Sequence, residues 1–207
     1  MVLCQTTIGD STFPAEEGDT YTWVCTYCSS DYSETFGIGS YMNFTIERIY
    51  QGSYLSISDA LIVDVIQGRY IKATNTHQSW SEVYWVVYNS NSGQIYLEDL
   101  LYIVPIPLNL PMIAEYIETS YGGDCTITDN QIIYDEGSGE VSKYQFNSNG
   151  FVTTIIYEED NTMYLKMELN GGTDSKISFG NQYILLSVLI TGIVILIFNK
   201  KRKLSER

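Results

Sequence analysis

Basic residues are scarce in this chain. One histidine and 11 Lys plus Arg stand against 25 Asp plus Glu, for a formal charge of −14. A phosphate backbone needs a basic stripe, so this balance argues against nucleic acid as a partner. The single histidine, His77, leaves little scope for zinc ligation or acid–base chemistry. A catalytic triad would have to use it, and it falls in the polar stretch Thr74-Asn-Thr-His-Gln-Ser79. No G-x-S-x-G nucleophile elbow is present. These gaps predict a protein that is not an enzyme and needs no cofactor. A surface hydrolase built on paired carboxylates is the least favoured reading.

Charge of either sign is missing from residues 177–199, and Lys200-Lys201-Arg202-Lys203 follows at once. The 20 residues Phe179–Phe198 would make a helix of about 30 Å, the thickness of a bilayer core. Core helices of soluble domains are rarely this apolar on every face. Five of the 11 Lys and Arg lie in the last eight residues, while residues 1–176 hold six bases and 24 acids. Basic flanks favour the cytoplasm, so the spacing predicts a single span with the N-terminal domain outside and the tail inside. The tail also suits anionic lipid headgroups. Met1-Val2-Leu3-Cys4 has no room for the apolar stretch of an export signal, so the true start is expected upstream, or already removed. The resulting layout is an extended lead-in (1–18), a β-rich outer domain (19–170), a Gly-rich stalk (171–178), the transmembrane helix (179–198) and a basic tail (199–207). Ser187, Thr191 and Gly192 form a small-residue face in the span that suits a weak homodimer.

The outer domain is rich in strand-favouring residues, with 18 tyrosines in the chain. The expected fold is mainly β (α+β): an antiparallel, curved sheet or sandwich with one short helix. Thr20–Tyr27 reads as a strand, residues 29–39 as a loop. Tyr41–Tyr50 alternates clearly, Met42, Phe44 and Ile46 against Asn43, Thr45 and Glu47. Gln51-Gly52-Ser53 reads as a turn, followed by strands at Tyr54–Ser58, Ala60–Ile66 and Tyr70–Ala73, broken near Asp59 and at Gly68. Ser81–Tyr88 and Gln94–Glu98 pair as a hairpin. Ile103–Pro111 is too rich in proline for a central strand. Pro111 opens a helix capped near Asn109 or Leu110 and closed by Gly122-Gly123. Cys125–Tyr134, Val141–Phe146, Phe151–Tyr157 and Met163–Leu169 form a closing meander.

Four cysteines in an exported domain point to disulfides. The expected bridge joins Cys125 to Cys25 or Cys28. Cys25-Thr-Tyr-Cys28 has the spacing of a redox motif, but it lies on a strand and not at a helix start. Residues three apart on a regular strand face opposite sides. Asn43 in Asn43-Phe44-Thr45 is the one glycosylation sequon, on the polar face of its strand. Asp135, Glu136 and Glu140, with Glu158, Glu159 and Asp160, gather in neighbouring turns as oxygen ligands for Ca²⁺, though without EF-hand spacing; solvated turn charges are the favoured reading, and no metal is expected.

The segments Gly18-Asp-Thr-Tyr-Thr-Trp23, Ile103–Pro111, Tyr144-x-Phe146 with Gly150-Phe151, and the anchor Ile177–Lys203 are spread along the chain. Together they resemble the uncharacterised single-pass surface proteins of Asgard-type archaea. The anchor resembles archaeal sorting segments as well. Those carry a Pro-Gly pair where this chain has Ser178-Phe179-Gly180, which speaks against cleavage and relinking to lipid. The resemblance implies a location and no activity.

The function expected from all this is a cell-surface binding, adhesion or coat module whose partner is a protein or a glycan. Exposed tyrosines suit contact. The alternative is a carrier or sensor of an apolar ligand such as a lipid. Its pocket, between curved sheet and helix, would be lined by Trp23, Trp80, Trp85, Met112, Ile113 and Ile117.

Overall fold

The computed structural model describes residues 7–8, 11–54, 57–89, 94–97 and 102–170, with the side chains of 7, 8, 11, 54, 57–59, 80–89 and 94–97 outside that description. The expected transmembrane helix, its Ser187, Thr191 and Gly192 face, and Cys4 lie outside the described residues. Among the described residues, no helix is long and apolar enough to cross a membrane.

The chain is mainly β. Twelve strands occur among the described residues: β1 (Thr7–Ile8), β2 (Ser11–Thr12), β3 (Thr20–Cys28), β4 (Tyr41–Tyr54), β5 (Ile57–Ile71), β6 (Thr76–Asn89), β7 (Gln94–Leu97), β8 (Asp124–Thr128), β9 (Gln131–Asp135), β10 (Glu140–Phe146), β11 (Val152–Glu159) and β12 (Thr162–Leu169). Helix α1 covers Ser30–Ser33 and α2 covers Leu110–Tyr121. Ten strands make one antiparallel sheet in the order β7-β6-β5-β4-β3-β12-β11-β10-β9-β8. β1 and β2 pair separately. The sheet is thus two meanders joined where β12 returns to lie beside β3.

Several sequence-based boundaries are corrected. Gln51-Gly52-Ser53 is not a turn; β4 runs through it to Tyr54. The three strands expected between Tyr54 and Ala73 are one long strand, β5, and neither Asp59 nor Gly68 breaks it. A strand expected over Cys125–Tyr134 is two, folded back at Asp129, whose positive φ of 52° makes the turn. The lead-in is not merely extended: Phe13 and Ala15 are buried, and Thr12 pairs with Ile106 through two backbone hydrogen bonds.

Alternation explains the core. Phe44 and Ile46 of β4 turn inward with Val63 and Val65 of β5, Trp23 and Cys25 of β3, Met167 of β12, Ile155 of β11 and Ile132 of β9. The proline-rich segment crosses this face. Tyr102, Ile103 and Val104 are buried in it, held by Val152 N–H donating to Tyr102 O (2.9 Å) and Val104 N–H donating to Gly150 O (2.8 Å).

Helix α2 follows. Asn109 Oδ1 accepts from Met112 N–H at 3.2 Å, and Pro sits in the first turn, where its missing N–H costs nothing. Leu110, Ile113, Ala114 and Ile117 form the buried stripe. The helix lies against β8 and β9, and also against β7, at the opposite edge of the sheet. Asn109→Ala removes the cap and is expected to cost about 1 kcal/mol, read as a lowered urea midpoint with an unchanged slope.

Candidate binding surface

A concavity among the described residues lies on the sheet face opposite the core, across β4, β5 and β6. Its volume is about 310 Å³, and Tyr41, Asn43, Thr45, Ile66, Gly68, Arg69, His77, Gln78 and Ser79 line it. That volume is at the lower end of the ~300–1,000 Å³ usual for small-ligand sites. Register explains why these residues meet. Tyr41 pairs with Tyr70, Asn43 with Gly68 and Thr45 with Ile66; on the other side Tyr70 pairs with His77 and Gly68 with Ser79. Period-two alternation then puts one polar and aromatic row on this face and Phe44, Ile46 and Val65 on the other.

Gly68 makes the floor. A Cβ there would collide with Asn43 Oδ1, so only glycine lets the Asn43 amide lie flat on the sheet at this point. Two rings of the lining, Tyr41 and His77, belong to an aromatic ladder across three strands whose middle member, Tyr70, is not itself in the lining. Tyr70 and His77 stack at 4.5 Å and 28°, and Tyr41 meets Tyr70 at 5.3 Å and 35°. The Tyr70 hydroxyl reaches Asn75 Oδ1 at 3.3 Å, which fixes the ring from the β5–β6 turn. Thr45 shares a 2.8 Å hydroxyl contact with Thr20. Arg69 is the only charged residue of the lining among the described residues. Its guanidinium lies 5.2 Å from the Phe36 ring centroid, and its Nε is buried with no hydrogen-bond partner among the described residues. The depression therefore offers π faces, an amide and hydroxyls rather than a charge cluster.

The residues singled out from the sequence fall in different places. Asn43 is in the lining, so the sequon coincides with the site. His77 is not in a loop but near the start of β6, engaged with the Tyr41 and Tyr70 rings rather than with a Ser–Asp pair among the described residues. Trp23, Ile113 and Ile117 are packed core. Trp23 donates from Nε1 to Val152 O at 2.7 Å and meets the Phe44 and Tyr102 rings edge-on. Met112 is half-buried on α2. The side chains of Trp80 and Trp85, on β6, are outside the described residues.

The acidic turns do become neighbours, since Glu140 pairs with Glu159 and Val141 with Glu158. They do not form the suggested Ca²⁺ cluster: among the described residues no three Asp, Glu, His or Cys side chains converge to hold a metal. Glu158 is held by Lys143 Nζ at 2.7 Å. Burial, together with the nearby Glu140, Tyr32, Glu136 and Glu159, pushes the Tyr164 phenol up to about 12. Deeper in, burial raises the Tyr102, Tyr144 and Tyr157 phenols above their ordinary value.

The expected bridge from Cys125 to Cys25 or Cys28 is not seen. Cys25, Cys28 and Cys125 are free thiols. Cys125 is on β8, five strand steps along the sheet from β3, or roughly 24 Å at ~4.8 Å per step. Bridged cysteines have Cα atoms only ~4.4–6.8 Å apart.

The chain matches no known protein family, no curated protein and no solved structure.

Sequence reasoning assigned Asn43 and Thr45 to a polar face but missed Tyr41, Gly68, Tyr70, Gln78 and Ser79 as their neighbours. The available signal was the alternation of Tyr41, Asn43 and Thr45 with Met42, Phe44 and Ile46 in β4; in β5, reading Gly68 as a break hid the continuity of the strand.

Proposed function

We propose that this protein is a membrane-anchored cell-surface binding module, without catalysis, whose outer-face depression takes a neutral sugar ring of a glycan. The observation that carries this reading is the pair of lining rings, Tyr41 and His77, joined through Tyr70 and set beside the Asn43 amide and the Ser79 and Thr45 hydroxyls. Sugar rings present C–H faces that pack on aromatic rings and hydroxyls that pair with amides. A lining with one charged residue favours a neutral ligand over an ionic one. Anchoring is supported by the uncharged stretch 177–199, and display of the preceding domain outside by the Lys and Arg that flank that stretch on its C-terminal side. The sheet would be curved, because one helix lies against both of its edges. The carrier reading receives less support, because three of its proposed lining residues are sealed in the core.

The test is a panel of neutral saccharides presented to the full chain in a zwitterionic, sugar-free detergent. Binding of at least one class is expected. Tyr41→Ala should weaken it about tenfold or more, the effect of losing an aromatic anchor worth over ~1.4 kcal/mol. No binding across the panel, or equal binding by Tyr41→Ala with an unchanged circular dichroism spectrum, would overturn the reading.

A further inference from the structure

We propose that Cys25 and Cys28 form a dithiol that closes to a disulfide within strand β3, in place of any bridge to Cys125. The argument starts from a β-bulge. On β12 the residues Leu165 and Met167 are two apart; their partners on β3 are Cys28 and Cys25, three apart. Thr26 is the extra residue, since Lys166 pairs with Tyr27 and the register shifts between Lys166 and Met167. A bulge sets two residues against one and turns the alternation by a step. Cys25 and Cys28 therefore share a face, whereas a regular strand would send them to opposite sides. The shift also shortens the span between them from three strand rises, about 10 Å, to nearly two, about 7 Å. That is at the edge of the Cα separation a disulfide tolerates.

The sulfur positions agree with this geometry. The Cys25 thiol is raised first by burial and then by the neighbouring Cys28 thiol, as expected of adjacent side chains. Cys25 Sγ also donates to Tyr27 O at 3.2 Å, which turns it along the strand toward Cys28. The thiols differ in access: Cys25 is 1% exposed, while Cys28 is half-buried at the end of the strand.

That difference orders the chemistry. The accessible Cys28, as its thiolate, attacks one sulfur of a small-molecule disulfide such as oxidised glutathione. A mixed disulfide forms at Cys28, and one glutathione leaves as thiolate. Cys25, after losing its proton to solvent, attacks Cys28 Sγ and releases the second glutathione. The protein loses two hydrogens and two electrons, and one glutathione disulfide becomes two glutathione thiols. Burial raises the Cys25 thiol to about 11, so the second step should quicken as pH rises toward that value.

The full chain in detergent, reduced and then incubated with oxidised glutathione at several pH values, tests this by intact-mass and peptide mapping. The expected product has lost two hydrogens and yields a peptide linked internally between Cys25 and Cys28. It should form equally in Cys125→Ser and Cys4→Ser, and should be replaced by a stable mixed disulfide at Cys28 in Cys25→Ser. Linkage of Cys25 or Cys28 to Cys125 or Cys4 would overturn the proposal. So would a mixed disulfide at Cys28 that persists in the unaltered chain across the pH series, or thiols that remain free throughout.

Discussion

Trp23→Ala is expected to remove most of the domain's stability. The indole is fully buried at the centre of β3, in contact with the Phe44 and Tyr102 rings at 5.7 and 4.7 Å. Truncating a buried Trp to Ala costs about 3–5 kcal/mol through lost burial and the cavity left behind. The same change removes the indole N–H from Val152 O, a buried carbonyl that then needs another donor. A domain of this kind has only ~5–15 kcal/mol in total. Urea unfolding of the full chain in detergent, followed by far-ultraviolet circular dichroism, should show a midpoint lowered severalfold or no cooperative transition. Trp23→Phe keeps a six-membered ring but loses the pyrrole half of the indole with its N–H, so it should fall between the two. A loss below about 1 kcal/mol for Trp23→Ala would mean that this contact is not the packing centre.

Gly150→Ala should be the most damaging single-atom addition on the core side of the sheet. Gly150 has φ of +77°, a region that costs a non-glycine residue roughly 1–3 kcal/mol. The added Cβ would also collide with the Val104 carbonyl oxygen and sit 3.2 Å from Ile106 Cγ2. The contacted atom is backbone, so it cannot rotate away. It belongs to the segment that Gly150 itself holds, through Val104 N–H donating to Gly150 O. Strain and lost docking therefore act together, and a loss of about 3 kcal/mol or more is expected. Gly18→Ala is the control. Its φ is +87° but nothing lies within 4 Å of the new Cβ, so only the backbone penalty of about 1–2 kcal/mol should appear. Equal losses in the two variants, read from urea midpoints, would show that the Val104 contact carries no weight.

Much of the fold was legible because local chemistry and tertiary structure agree. Asn109 and Pro111 announced α2, and its stripe of Ile113 and Ile117 faces the core as helical spacing requires. The proline-rich run was rightly kept out of the sheet. The alternation of Met163, Leu165, Met167 and Leu169 marked β12, with Met167 buried. What failed was the reading of small and turn-forming residues inside long strands. Gly68 resembles a break by local propensity. In the sheet it is the position where the Asn43 side chain crosses a neighbouring strand, and such close approach is visible only once the strands are paired. Bulges failed for a related reason. A single inserted residue such as Thr26 leaves no mark in sequence, yet it moves Cys28 to the other face. The candidate site suffered accordingly: the β4 half could be read from alternation, while the β5 and β6 half depended on register.

The position of α2 has a consequence for the behaviour of the whole sheet. Any open sheet ends in two strands with unpaired backbone groups, and each is a template on which a second chain can add. Here β7 and β8 are those two ends, and a single helix of 12 residues lies against both. Protection against intermolecular strand addition is therefore concentrated in one element. A change that detaches α2 would uncover both ends at once, so self-association should follow helix loss even where the rest of the sheet stays folded.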